Sequence, residues 1–353
     1  MFNRWFRHGA VVAAALTGGA AAAETYTAHV YSTPAGYLRM VVTGAGDNAM
    51  MTGSVLDGDS KPFAAFRTST GSKIIHPSGW TSSRILDSWG STYHCGLGVL
   101  PGGQSRALFW VGGGVPTDLH PIGEYTSSVA RGGGGQLQAG EVNGTIECQE
   151  CGITVSRHAG AWSRTASSFK RLHSLTHKET LAYGTDGTKS VGQGIDRSVF
   201  RVDALLWNST TSMSTNLRPS GATGSVAFSV WGDQQGGYYT AASTSGNQHA
   251  CIWANTAASV VDLNPNTVFK RTQITTVRNG LQVGYGTPLS VVRTQAIAWH
   301  GSAATWINLH SKLPVMFQTW SSQAEGIDNL GNVTGYVYNA QANDVRPCVW
   351  IRS

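Results

Sequence analysis

His249-Ala250-Cys251-Ile252-Trp253 is a short apolar run that ends on an aromatic ring. Six other segments take the same form: PFAAF ending at Phe66, RALFW at Trp110, HAGAW at Trp162, DALLW at Trp207, QAIAW at Trp299 and RPCVW at Trp350. The aromatic anchors stand 44, 52, 45, 46, 46 and 51 residues apart. A fixed period of this length marks an array of supersecondary units, each too small to bury its own apolar faces. Nine or ten residues after each of the first six anchors comes a second signature: Ile75-His76-Pro77, Leu119-His120-Pro121, Leu172-His173-Ser174, Leu217-Arg218-Pro219, Leu263-Asn264-Pro265 and Leu309-His310-Ser311.

Before each anchor lies a hairpin signal, clearest at Val277-Arg278-Asn279-Gly280-Leu281 and around Asp186-Gly187. Asn-Gly and Asp-Gly join antiparallel strands because both central residues tolerate positive φ. Each period thus offers four short strands: two around the hairpin, one ending at the anchor and one ending at the Leu-His-Pro signature. Four antiparallel strands in about 45 residues is the size of a propeller blade. The expected fold is an all-β, seven-bladed β-propeller. The anchors Phe66, Trp110, Trp162, Trp207, Trp253, Trp299 and Trp350 are expected to fill the space between neighbouring blades, where a large flat ring suits sheets packed face to face. An open β-solenoid or paired β-sandwiches are the alternatives. The seventh anchor is three residues from the end of the sequence and has no strand after it. Residues 25–32 (TYTAHVYS) are a spare strand, expected to complete the seventh blade and close the ring so that no edge is left open.

The first 23 residues are set apart from the fold. Arg4 and Arg7 precede the apolar run Ala10–Leu16, and Ala21-Ala22-Ala23 follows. This is the pattern of a cleavable secretory signal, with cleavage expected after Ala23. Residues 24–353 then form one propeller domain, exported to the periplasm or beyond. Losing Arg4 and Arg7 lowers the net charge from +6 to +4. That mild excess forms no Lys/Arg block, so nucleic acid is not an expected partner. No further apolar segment has spanning length.

The repeats resemble the HAF-type extracellular repeats of bacteria. The residues that carry the likeness are His249-Ala250-Cys251-Ile252-Trp253 with Val261-Asp262-Leu263, the stretch from Ala324 to Tyr336 (AEGIDNLGNVTGY), and Thr117-Asp118-Leu119. The likeness is strong in the last third and weak in the first four repeats. It implies the architecture and an exported location, and it carries no catalytic residues.

Candidate chemistry is sparse. His76, His120, His173 and His310 recur at one position. A single metal needs ligands about 2 Å away, whereas equivalent points on adjacent sheets lie about 10 Å apart, so these read as turn caps and no metal is expected. Asp47, Asp87, Asp186, Asp233 and Asp328 lie in or beside the first hairpins, where turn chemistry accounts for them. Cys148 and Cys151 form a C-x-x-C without a partner pair or a thioredoxin-like context, and in an exported chain a local disulfide is the default. Cys251 and Cys348 read as small core side chains, and Cys95 is left over. No zinc-protease, nucleophile-elbow or complete phosphate-loop motif is present. No cofactor is expected.

Aromatics outside the anchor register are the remaining candidates for ligand binding: Trp80 and Trp320 in connections leading into a blade, and Trp231, Tyr238 and Tyr239 around one hairpin. The function expected is a monomeric, non-catalytic scaffold that binds a protein or glycan partner through one face. A hydrolase or lyase with channel acids as its acid and base, or a structural envelope component, are the alternatives.

Overall fold

The computed structural model describes residues 24–353 apart from 124, 149–152, 173, 175 and 210. It contains seven four-stranded antiparallel sheets arranged as the blades of a propeller. In chain order the blades open on the inner strands Arg39–Gly46, Ser82–Trp89, Ser127–Gly134, His177–Thr185, Ala222–Trp231, Phe269–Arg278 and Ser321–Ile327. Blades 1 to 6 are built consecutively from inner to outer strand. The outer strand of blade 7 is Tyr26–Val30, paired antiparallel with Asp344–Arg352 in the register Tyr26 to Arg352 and Val30 to Cys348. The expected closure by the strand within residues 25–32 is therefore present. Deleting residues 24–32 should expose the edge of Asp344–Arg352. A lower melting temperature and concentration-dependent aggregation are expected, and melts of the truncated protein beside the full domain check this.

Two long anchor intervals have plain causes. The 52-residue gap before Trp162 holds a tall hairpin, Leu137–Cys148 with Ile153–Trp162. The 51-residue gap before Trp350 holds two short 3-10 turns, His310–Lys312 and Val315–Phe317. The hairpin turn at Asn279-Gly280 has positive φ at both residues, 49° and 79°, as its sequence requires.

Every inner strand carries a β-bulge at the same place. The register slips between Val42 and Gly44, Ile85 and Asp87, Ala130 and Gly132, Ala182 and Gly184, Ala227 and Ser229, Ile274 and Thr276, and Ala324 and Gly326. A bulge leaves one residue unpaired and bends the strand. Opposite each one, the second strand has a glycine: Gly53, Gly96, Gly140, Gly192, Gly237, Gly284 or Gly335. A Cβ at any of these would lie 1.9–2.0 Å from an inner-strand carbonyl oxygen. The recurrent glycine is a steric requirement of the bulge.

The blade interfaces repeat a second device. The anchors Trp110, Trp162, Trp207, Trp253, Trp299 and Trp350 are all buried, each packed against the preceding blade. Trp253, for example, meets Ala204, Leu206 and Leu217. A hydroxyl on each following inner strand accepts the N–H of an anchor-strand alanine: Ala64 to Ser83, Ala107 to Ser128, Ala159 to Thr180, Ala204 to Ser225, Ala250 to Thr272 and Ala296 to Ser322, at 2.9–3.0 Å. Nδ1 of His76, His120 and His310 bonds to Ser83, Ser128 and Ser322 in turn, at 2.8–2.9 Å. Through Nδ1 these histidines tie neighbouring blades together, and through Nε2 His76 and His310 also hold a carbonyl of the loop that follows, those of Trp80 and Gln318, both at 3.1 Å. Burial lowers the pKa of all three, so the ring stays neutral and can take part in this network. His173 lies outside the described residues.

The seventh interface differs. In blade 1, Phe66 stands one residue out of register with the other anchors. Trp110 pairs with His94 and Trp253 with Gln235, each two residues before the blade glycine. The corresponding partner in blade 1, Met51, faces Arg67. Phe66 is half-buried and stacks on His94 of blade 2, with ring centroids 5.5 Å apart. Arg67 instead lies over Tyr31, 4.4 Å from its centroid, and buried Met40 replaces the serine. The seam where the chain closes on itself lacks both the tryptophan and the hydroxyl relay.

Because strands alternate in direction, the turns fall on two faces. The connections between blades share one face with the loops joining second and third strands. The inner hairpins occupy the other.

Candidate functional site

The seven bulged residues, Thr43, Leu86, Arg131, Tyr183, Phe228, Thr275 and Glu325, all line one axial cavity of about 590 Å³. All seven inner strands contribute to it. It runs from the bulge level to the inner hairpins, where Trp89 and Trp231 stand at its mouth. Tyr183 and Phe228 of adjacent blades form an aromatic wall, their rings 5.2 Å apart, and Arg131, its guanidinium 5.6 Å from the Tyr183 ring centroid, separates that wall from Leu86. The wall of blades 6, 7 and 1 presents Thr275, Glu325 and Thr43.

The cavity's charges are mostly committed. Arg131 forms a two-pronged bond with Glu141, at 2.6 and 2.7 Å. Asp87 accepts the N–H groups of Ser88 and, in the next blade, Gly133. Burial raises its pKa to about 6 against those bonds. Asp186 accepts from Thr188, Lys189 and Gly232. Arg278 reaches Asp47 at 3.5 Å, donates to the Ile327 carbonyl and lies 4.9 Å over the Trp231 ring. Asp233 holds Lys189, and Asp328 holds the Ala49 N–H of blade 1. The acidic turn residues thus serve turns and blade junctions.

Glu325 is the exception. Among the described residues no hydrogen bond or ion pair reaches its carboxylate, and desolvation raises its pKa to about 8. The folded protein therefore keeps a proton there between about pH 4.5 and 8 that the unfolded chain has lost. Stability falls as pH rises through that window. Glu325→Gln should raise the melting temperature at pH 9, by on the order of 1–4 kcal/mol in stability, and change little at pH 4. An equal effect at both pH values would show that titration is not the cause.

The aromatic candidates do not converge. Trp231 is 42% exposed at the cavity mouth, on the hairpin face. Trp80 and Trp320 lie on the opposite, connection face. Both are partly buried, Trp80 against the Ile75, Leu108 and Trp110 cluster and Trp320 edge-on to Phe317 beneath Arg346. Tyr239 bonds Asp262 at 3.0 Å, tying second strand to fourth, and the Tyr238 ring lies 5.9 Å from that of Phe228. Sequence reading missed the seven bulged residues. No single residue type runs through them, and only the glycine facing each bulge marks their place.

Other chemistry is structural. His177, Asp196 and Asp203 lie close enough to suggest a metal, but Arg201 and Arg218 both contact Asp203. Burial opposes its charge, yet bonds from His177, Arg201 and Asn216 hold its pKa below the usual range. Two guanidinium groups on one carboxylate disfavour a further cation. Cys95, Cys251 and Cys348 are free and buried, and burial pushes their thiols up. Of the expected Cys148–Cys151 disulfide, Cys151 lies outside the described residues. No helix among the described residues is long and apolar enough to cross a membrane.

No family model matches the chain, and no curated protein matches it by sequence. Solved structures do. A puromycin hydrolase mutant (S511A) superposes with a TM-score of 0.54 at 11% identity, covering 91% of this chain and 56% of that one. BP39L lectin from Burkholderia pseudomallei gives 0.51 at 10%, covering 89% and 96%. A post-proline cleaving enzyme from Rickettsia typhi gives 0.51 at 9%, covering 89% and 53%. This chain spans little more than half the length of the two enzymes. At such identities the likeness is one of fold, and the fold is the seven-bladed propeller.

Proposed function

We propose that this is an exported, non-catalytic scaffold that docks a protein partner on its connection face. The observation that carries the reading is a group of bare apolar side chains beside Trp320. Val292 is 98% exposed, Val315 82%, Met316 70% and Leu289 62%. The two loops bearing them adjoin: Arg293 donates to the Gln318 carbonyl at 3.4 Å, and Ser322 N–H to that of Thr294 at 3.0 Å. Contiguous exposed apolar surface rimmed by polar groups is characteristic of a protein interface. Hydrolysis by channel acids is less well supported. Burial raises the pKa of both Asp87 and Glu325, but Asp87 is held by two backbone N–H groups.

A Val292→Asp/Val315→Asp variant should keep its melting temperature and lose a partner that the intact protein captures from envelope extract. Equal capture by both proteins contradicts the reading. If instead a glycan array lights up and Trp231→Ala abolishes the signal, the partner is a sugar on the hairpin face. The lectin of like fold makes that the second reading.

A further inference from the structure

We propose that the axial cavity binds an organic primary ammonium compound, with Glu325 as its counter-ion and the Tyr183 and Phe228 rings taking its carbon skeleton. This site is independent of the partner on the connection face.

The charge pattern leads to it. Six charged residues line the cavity: Asp47, Asp87, Asp186 and Glu325 against Arg131 and Arg278. With every acid ionised the cavity has a net formal charge of −2, inside a chain whose overall charge is +6. Five of the six are answered by named partners. Glu325, among the described residues, is not. The cost of ionising an unpaired carboxyl in this partly desolvated cavity is what keeps the proton on Glu325, and a complementary cation that displaces the proton recovers it. Thr275 and Thr43 flank it in the ring order. Each hydroxyl donates to a carbonyl of the next blade, Ala324 and Ile85, both at 2.7 Å. Their oxygens remain free to accept, so carboxylate and hydroxyls together match the three donors of an ammonium group.

A divalent metal fits poorly. Ca²⁺ takes six to eight oxygen ligands, and Glu325 is the cavity's one uncommitted carboxylate among the described residues. Across the axis, the Tyr183 and Phe228 rings offer an apolar surface for the remainder of the ligand, at a volume suited to a small molecule.

The test uses phenethylamine, with 2-phenylethanol as its uncharged analogue, by titration calorimetry on the whole domain. The amine should bind saturably and the alcohol at least about tenfold more weakly. Glu325→Gln should weaken the amine by a similar factor and leave the alcohol unchanged, while Phe228→Ala should weaken both. Equal affinity for amine and alcohol on the intact protein overturns the proposal without any variant. So does an amine affinity unchanged by Glu325→Gln, or no saturable binding of the amine at millimolar concentration.

Discussion

Gly237→Ala is expected to cost at least about 3 kcal/mol, and the variant should fail to accumulate as folded protein. The added methyl would lie 1.9 Å from the Val226 carbonyl oxygen and 2.9 Å from the Ala227 Cα. Both are backbone atoms of the adjacent inner strand, so no side-chain rotation relieves the clash. Overpacking a core by a methylene costs about 1–3 kcal/mol where side chains can yield. Here the bulge itself must be undone. The control is Gly246→Ala, in a loop where nothing lies within 4 Å of the added methyl. Its cost should come only from its positive φ of 73°, about 1 kcal/mol. Denaturant melts of the two variants separate the cases. Equal, small losses would mean that the bulge is not a fixed feature of the blade.

Trp253→Ala should destabilise by about 3–5 kcal/mol, the usual cost of deleting a fully buried large ring. The ring is 1% exposed and packs on Ala204, Leu206 and Leu217 of the preceding blade. It sits in the middle of the chain's repeats, so its loss opens an interface between two well-formed blades. Phe66→Ala is the informative contrast. Phe66 is half-buried and out of anchor register, so its loss should be smaller, about 1–3 kcal/mol. A Trp253→Ala loss below about 1 kcal/mol would place that ring outside the core.

The anchors from Trp110 onward were legible because burying a tryptophan between sheets demands one residue type at one spacing. The closing strand was legible by arithmetic, since seven anchors with six following signatures leave one strand missing. The first blade misled because Phe66 imitates an anchor while Arg67 holds the position. A repeat read by residue type cannot register a substitution of aromatic packing by a cation on Tyr31. The histidines were found, and so was their hold on the following loop, at Trp80 for His76 and Gln318 for His310, but their bond to the next blade was not. Ser83, Ser128 and Ser322, which they bond, stand seven to twelve residues away, and a bond across a blade junction leaves no local signature.

The cavity was the least legible part. Its walls are the bulged residues, and a bulge appears in sequence only through the small residue facing it. Glu325 stood inside a stretch quoted for its likeness to a repeat family, where its neighbours Gly326, Ile327 and Asp328 carry the pattern. What singles it out is the lack of a partner, and that needs the seven inner strands in place around it.

The cavity, both faces and the apolar patch beside Trp320 all depend on the ring being closed by Tyr26–Val30. Thr27 and Ile351 face each other across the closing pair, with Thr27 exposed. Directly opposed strand residues lie at a separation that a disulfide can span. The direct test is the Thr27→Cys/Ile351→Cys variant, oxidised and mapped by mass spectrometry of its peptides. A closed ring predicts a near-quantitative 27–351 crosslink in the folded protein, with a raised melting temperature that reduction reverses. A folded variant whose two new thiols stay free, or pair only with other cysteines, would contradict it.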